Sequence, residues 1–301
     1  MTISIARVFL LAGGVIIAMF LYLWANDRLT VPSVLQGLGK ALSEQNINVT
    51  YNQIYGSHKR HKLDIYLPQK TNTQRADTSP IVIFYYGGGW RSGERGMYHF
   101  VGAALASRGI TTVIPDYRLF PDVKFPAFVE DAALAYQWVW ENLVKNNKNK
   151  RKIIVMGHSA GAHIAALLAL DTHYLQNLDK DISMPDGLIG LAGPYAFNPT
   201  TWPRTKPIFS HVKDEETTRP IAYARKNAPS SLLIHGTDDG IVKPWNTNQL
   251  IRALNKAGAK SQKIELKDIG HFGIILSIAR PFRWRAPVLE RMTDFITRFR
   301  T

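Results

Sequence analysis

The pentapeptide Gly157-His158-Ser159-Ala160-Gly161 constrains the fold of this chain more than any other feature, because of what flanks it. The apolar run Ile153-Ile154-Val155-Met156 precedes it, and the helix-like run Ala162-His163-Ile164-Ala165-Ala166-Leu167-Leu168 follows. A strand, a one-residue corner and a helix force the corner residue into a strained backbone conformation and lift its side chain clear of the sheet edge. Side chains at positions 157 and 161 would collide with the neighbouring strand or helix, which accounts for glycine at both. Without its flanks the string is an ordinary glycine-rich turn. With them, Ser159 is a candidate nucleophile, and the N–H of Ala160 at the helix N-terminus is a candidate donor to an oxyanion.

A serine hydroxyl is a weak nucleophile near neutral pH, so it needs a general base, and the base needs a carboxylate to fix its tautomer. In the chain order serine, acid, histidine, both partners come from loops after later strands. The strand-like run Ser230-Ser231-Leu232-Leu233-Ile234 ends in His235-Gly236-Thr237-Asp238-Asp239-Gly240, and Lys263-Ile264-Glu265-Leu266 leads to Asp268-Ile269-Gly270-His271. These place Asp239 as the acid and His271 as the base. Asp238 competes with Asp239, its alternative role being a turn-capping aspartate. His271 is the only histidine beyond the acid loop. His158 and His235 read as structural partners of their turns, His163 and His173 as helix residues, and His58 and His61 as parts of a solvated basic loop.

A second oxyanion donor is expected after an earlier strand. The run Pro80-Ile81-Val82-Ile83-Phe84-Tyr85-Tyr86 enters Gly87-Gly88-Gly89-Trp90, where three glycines let N–H groups approach a reacting carbonyl without side chains in the way. A phosphate cradle would need a following Lys-Ser/Thr, which is missing here.

Taken together these segments resemble an α/β-hydrolase of the esterase and lipase branch around hormone-sensitive lipase and the BD-FAE and kynurenine-formamidase-like esterases. The resemblance runs from about Val49 to Phe299. It rests on Leu63-Asp64-Ile65-Tyr66-Leu67-Pro68, Tyr86-Gly87-Gly88-Gly89-Trp90, Asp116-Tyr117-Arg118-Leu119 with Pro121, the Ser159 pentapeptide with Ala162-His163, His235-Gly236-Thr237-Asp238-Asp239, and Gly270-His271. It implies Ser159 as nucleophile, Asp239 as acid, His271 as base, and the N–H groups of Gly88, Gly89 and Ala160 as the oxyanion hole. One departure matters: these families usually open the oxyanion loop with histidine, where this chain has Tyr86. The tyrosine hydroxyl has a longer reach and would hold the loop through a different hydrogen bond. On this reading Tyr86→His keeps activity within about an order of magnitude.

The coarse pattern alternates strands and helices. Strands are expected near Ile65 and over 81–86, 111–115, 153–156, 188–191, 232–235 and 264–266, with helices over 97–107, 128–143, 160–170, 246–257 and 288–299. Such alternation implies a mostly parallel sheet covered on both faces, within one domain over 49–301. Residues 69–79 read as a polar surface loop. The segment 197–229, with Trp202, Phe209 and several prolines, is either a lid over the acyl pocket or a plain solvent-facing connection.

Residues 8–26 carry no charge and come close to the ~20 residues of a spanning helix. Residues 1–28 therefore read as an N-terminal membrane anchor followed by a linker over 29–48, the alternative being a cleaved signal peptide. Flanking charges are nearly balanced, and the reading places the N-terminus in the cytoplasm with the hydrolase domain on the non-cytoplasmic side. The chain has no cysteine and a net charge of +14. Cysteine nucleophiles and cysteine-ligated metals are thereby excluded, and neither a catalytic metal nor a cofactor is expected. Basic runs lie at 145–152, read as a solvated helix end, and at Arg280-Pro281-Phe282-Arg283-Trp284-Arg285, where interleaved arginine and aromatic residues suit an anionic lipid surface better than nucleic acid. The expected activity is cleavage of small or medium acyl esters through an acyl-enzyme. An amidase, arylformamidase or peptidase with the same triad, and a catalytically silent binding module on the same fold, are the alternatives.

Overall fold

The computed structural model describes Glu44 and residues 47–69, 79–147 and 151–300. Its centre is an eight-stranded sheet of β1 (Asn48–Ile54), β2 (Lys62–Leu67), β3 (Ile81–Tyr85), β4 (Thr111–Pro115), β5 (Ile153–His158), β6 (Gly187–Leu191), β7 (Ser230–Gly236) and β8 (Ser261–Leu266). They lie in the order β1-β2-β4-β3-β5-β6-β7-β8. β2 runs antiparallel to both β1 and β4, and from β4 to β8 every pairing is parallel.

The sequence of the central strands explains their position. Every residue of β3, β4, β5 and β6 is buried, as both faces of a parallel sheet must be. Each large aliphatic side chain buried this way contributes roughly 1.5–3 kcal/mol. The cover consists of α1 (His99–Ala106), α2 (Ala127–Val139), α3 (Ala160–Leu170), α4 (His173–Gln176), α5 (Lys206–Phe209), α6 (Trp245–Lys256), α7 (His271–Leu276) and α8 (Val288–Thr297). In α6 the buried Leu250 and Leu254 sit one turn apart, and in α8 Val288, Leu289, Met292, Phe295 and Ile296 make one apolar stripe. By contrast α3 is buried all round, because alanines and glycine let it pack closely among the sheet, α2 and the turn over 220–223.

Most expected elements are present with shifted ends. The helix placed over 128–143 is α2 followed by a wide turn over Trp140–Val144, closed by Lys145 N–H donating to Trp140 O at 2.7 Å. Four elements escape the sequence reading: β1, the single-turn helices α4 and α5, and α7. β1 is largely polar and exposed, with a register shift between Thr50 and Gln53, so no clean alternation announces it. α7 has six residues and follows β8 almost directly. The spanning helix expected within residues 1–28, the linker up to residue 43, and most of the loop over 69–79 lie outside the described residues. Among the described residues no helix is long and apolar enough to cross a membrane.

This topology sets where chemistry can occur. β5, β7 and β8 are parallel, so the residues after each emerge at one edge of the sheet, the carboxyl edge.

Candidate active site

Ser159 occupies the corner between β5 and α3 with φ 56° and ψ −123°. A non-glycine residue in this region is strained and must be held by its surroundings. Its N–H donates to Leu191 O at 2.9 Å, and its carbonyl accepts from Ala162 N at 3.0 Å and His163 N at 3.1 Å. A Cβ at Gly157 would lie 2.1 Å from Gly161 O, and one at Gly161 would lie 2.0 Å from Tyr85 O. The collisions that the pentapeptide implied are therefore with the following helix for Gly157 and with β3 for Gly161.

His271 opens α7 and projects across the carboxyl edge, with Nε2 2.8 Å from Ser159 Oγ and Nδ1 2.7 Å from Asp239 Oδ2. Asp239 is buried, which by itself favours the neutral acid, yet its carboxyl is held well below the usual carboxylate range. Hydrogen bonds from His235 and His271, the charge of His271 and the N–H of Val242 outweigh the desolvation. Its Oδ1 accepts from Ile241 N at 2.9 Å and Val242 N at 2.8 Å. An ionised Asp239 fixes the proton of His271 on Nδ1 and leaves the Nε2 lone pair for the Ser159 hydroxyl. Asp238 is exposed and accepts from Thr237 Oγ1 at 2.8 Å, outside this relay. Geometry thus separates the two aspartates that sequence left in competition.

The glycine loop follows β3. Gly88 and Gly89 have φ of 138° and 61°, and a Cβ at Gly88 would meet Ser92 O at 2.0 Å. The Gly88 carbonyl accepts from the N–H groups of Arg91 and Ser92, both at 3.1 Å. In a trans peptide the N–H points opposite to the carbonyl, so the N–H of Gly89 is turned away from that closed turn. Among the described residues no protein acceptor takes the N–H groups of Gly88, Gly89 or Ala160.

Two further positions matter that the sequence did not reveal as such. His158 Nε2 donates to the backbone carbonyl of His271 at 3.0 Å, and the rings lie 4.9 Å apart. Burial, with the charge of His271 beside it, lowers the His158 pKa to about 3, so the ring stays neutral and the donor stays in place. The second is the expected solvated basic loop at 58–61, which the structure corrects. His61 is buried 3.1 Å from Asp131, and Gly56 is required because a Cβ there would lie 2.4 Å from His61 Nδ1. Arg60 donates to Tyr117 O, Tyr86 Oη and Gly93 O, each at 2.8 Å. Tyr86 in turn donates to Asp116 Oδ1 at 2.9 Å and stacks between Tyr98 and Tyr117. The tyrosine in place of histidine is thus anchored beneath the glycine loop by a longer side chain, held between a half-buried Arg60 and a buried Asp116.

The segment over 197–229 turns its inner face to the protein. Phe209 is buried with its ring 5.0 Å from Trp90 and 5.3 Å from Phe125, and His163 Nε2 donates to Thr218 O at 2.8 Å. Phe209 and Thr218 tie the segment to Trp90, Phe125 and His163, while most of residues 201–216 face solvent. Among the described residues no group of three or more His, Asp or Glu side chains is arranged to hold a metal ion.

Solved structures share this architecture. The apo form of Thermogutta terrifontis esterase 2 superposes with a TM-score of 0.70 at 22% identity, covering 85% of this chain and 97% of that one. A truncated carbohydrate esterase from gut microbiota gives 0.68 at 23%, covering 83% and 95%. The fold is that of an α/β-hydrolase. Two family models divide this α/β-hydrolase between them, BD-FAE over residues 63–187 and the prolyl oligopeptidase family over 195–299. Among curated relatives, a probable isoprenylcysteine alpha-carbonyl methylesterase of Oryza sativa subsp. japonica is 29% identical over 230 residues, covering 69% of this chain and 53% of that protein. Esterase LipC of Mycobacterium tuberculosis is 29% identical over 248 residues, covering 75% and 60%. The α/β-hydrolase chain thus spans a little over half the length of these relatives.

Proposed function

We propose that the protein is a serine carboxylesterase. The observation that carries this reading is the relay in which His271 lies 2.8 Å from Ser159 Oγ and 2.7 Å from Asp239. His271 takes the Ser159 proton as Oγ attacks the ester carbonyl, and the N–H groups of Ala160, Gly88 and Gly89 hold the oxyanion. The imidazolium, steadied by Asp239, then protonates the departing alcohol. Water, deprotonated by the same histidine, releases the acid from the acyl-enzyme and regenerates Ser159. Relatives bearing the names esterase, methylesterase and carboxylesterase support ester chemistry.

A fluorophosphonate probe tests the reading on the full chain in detergent. Labelling of the intact protein, abolished in Ser159→Ala and His271→Ala, is the expected result. A folded protein that does not label is a silent binding module. The match of residues 195–299 to the prolyl oligopeptidase family favours a second reading, an amide-cleaving enzyme with the same triad. Paired ester and anilide substrates separate the two, since amide cleavage depends on protonating a poorer leaving group.

The uncharged run over 8–26 supports a membrane anchor over residues 1–28, a linker over 29–48 and a hydrolase domain over 49–301. On this reading the chain crosses the membrane once, with the hydrolase domain on the non-cytoplasmic side. Protease protection in sealed vesicles of either orientation tests that topology.

A further inference from the structure

We infer that the carboxyl edge of the sheet, the edge that bears Ser159, is applied to an anionic phospholipid surface, so that ester substrates reach the site from the bilayer. The inference deepens the anchor and esterase readings above and rests on three observations.

The first is where large apolar side chains are exposed. Among the described residues, Trp202 (47%), Ile241 (48%), Trp245 (44%) and Trp284 (84%) are exposed on segments that follow strand carboxyl ends, with Ile54 (67%) at the end of β1. Ile241 and Trp245 lie in the Asp239 loop and at the start of α6. The side chain of Asn246 accepts from Ala196 N and Phe197 N, both at 3.1 Å, and the Phe197 and Trp202 rings are 6.0 Å apart, which joins Trp202 to the same rim. Trp284 belongs to the turn over 280–285 between α7 and α8. α7 starts at the active-site His271, and α8 descends from Val288 until Phe295 and Phe299 flank Gly187 at the start of β6. Because α8 ends level with the amino edge, the Trp284 turn that precedes it stands at the carboxyl edge. Tryptophan is the side chain most at home between water and lipid.

Charge is the second. Exposed Arg204, Lys206, Lys243, Arg280 and Arg285 accompany these residues, against Asp238 and Asp268 on the same loops. The acidic turn Asp214-Glu215-Glu216 is tied back to the Trp202 segment, its Glu215 carboxylate accepting from Asn198 Nδ2 and from Thr200 Oγ1 at 3.4 Å and its Glu216 pairing with Arg219, so these carboxylates offset part of the positive charge there. A chain of net charge +14 with cations around exposed indoles matches an anionic lipid headgroup layer.

The third is where the chain enters. The Glu44 carboxylate accepts from Arg283 Nη1, so the segment leading from the apolar run arrives at the Trp284 turn itself. The 18 residues over 27–44 span at most about 60 Å when extended. A tether of that length lets the carboxyl edge reach the membrane, and the exposed indoles and cations at that edge select it over the opposite one.

The chain lacks cysteine, so single labelling sites can be introduced directly. Full-length Trp245→Cys, Trp284→Cys and Lys260→Cys proteins, the last at the amino edge before β8, carry a spin label in vesicles of phosphatidylcholine with or without phosphatidylglycerol. Relaxation by oxygen and by a water-soluble nickel chelate is expected to place labels 245 and 284 in the lipid phase when phosphatidylglycerol is present, and label 260 in water. Labels 245 and 284 as aqueous as 260 overturn the proposal, and insertion that ignores lipid charge overturns the anionic assignment. Retention through a carbonate wash reports the anchor separately. Trp245→Ser/Trp284→Ser should cut turnover of a vesicle-borne ester about tenfold, while a soluble short ester changes less than about twofold. An equal fall on both substrates counts against the proposal, and absence of ester cleavage in the parent protein sinks the esterase reading while the labels still decide the orientation.

Discussion

His158 donates its Nε2–H to the carbonyl of His271 at 3.0 Å, so the residue just before the strained serine grips the main chain of the histidine that serine needs. The bond spans the gap between β5 and α7, two elements far apart in sequence, and it keeps the Ser159–His271 separation from depending on the β8–α7 loop alone. The ring is also packed against Gly87, where a Cβ would come within 3.0 Å of His158 Nδ1. One buried imidazole therefore touches the serine corner, the glycine loop and the base.

This gives the first prediction. His158→Ala should lower kcat roughly 5- to 150-fold, the range for a buried hydrogen bond worth about 1–3 kcal/mol, with KM little changed. His158→Gln presents an N–H at a similar reach and should restore most of the loss. A gain in KM with unchanged kcat, or no rescue by glutamine, would show that His158 only fills space.

The acid residue yields the second. Asp239→Asn should reduce kcat on the order of 10⁴-fold, because an amide donating to Nδ1 imposes the wrong tautomer on His271. Asp238→Asn should change kcat less than about threefold, since Asp238 is exposed and its hydrogen bond is to Thr237. Steady-state kinetics on one soluble ester measures both, and comparable losses in the two variants would contradict the assignment of Asp239.

Much of the site was legible because its signals are local. Gly157 announces the corner since the clash it avoids is with Gly161, four residues on, and the apolar runs before Ser159 and Asp239 are buried strands, while the run before His271 is a half-exposed strand marked only by Ile264 and Leu266. What escaped depends on partners distant in sequence. Nothing near His61 shows that Asp131 will stand beside it, and nothing near Phe209 shows that Trp90 and Phe125 will surround it. β1 was illegible for another reason: it is an edge strand with a register shift, so its polar pattern resembles a loop.

Tyr86 supplies the third prediction. Its phenol is both donor to Asp116 and acceptor from Arg60, and burial beside Asp116 raises its pKa well above the ordinary value, keeping the donor proton in place. Tyr86→Phe preserves the stack with Tyr98 and Tyr117 but leaves two charged groups short of a partner, and should destabilise the fold by about 1–3 kcal/mol. It should also lower kcat more than KM rises, because the glycine loop loses its support. Tyr86→His restores a polar group and should remain within about an order of magnitude of the parent. Urea titration and kinetics of the pair measure this, and a histidine variant weaker than phenylalanine would mean that the phenol's length, not its polarity, sets the loop.

The fourth prediction concerns pH. Burial lowers His163 from 6.5 to about 4, and burial together with His271 lowers His158 from 6.5 to about 3. Both therefore bind protons more readily in the unfolded chain. Above pH 6.5 neither contributes a pH dependence; as pH falls below that value the unfolded state gains protons first, and stability drops by up to about 1.4 kcal/mol per pH unit for each histidine until the folded-state values are reached. Asp239 acts in a lower window. Its depressed pKa contributes stability that is complete above the ordinary 3.8 and is lost as pH falls beneath it. Denaturant titrations between pH 7 and pH 4.5 should thus show a loss carried by His158 and His163, to which His61, whose pKa burial also lowers, adds. His163→Gln keeps an N–H for Thr218 O but cannot titrate, so its stability curve should be less steep than the parent's over that interval. A curve parallel to that of the parent protein would mean that His163 takes up its proton without unfolding.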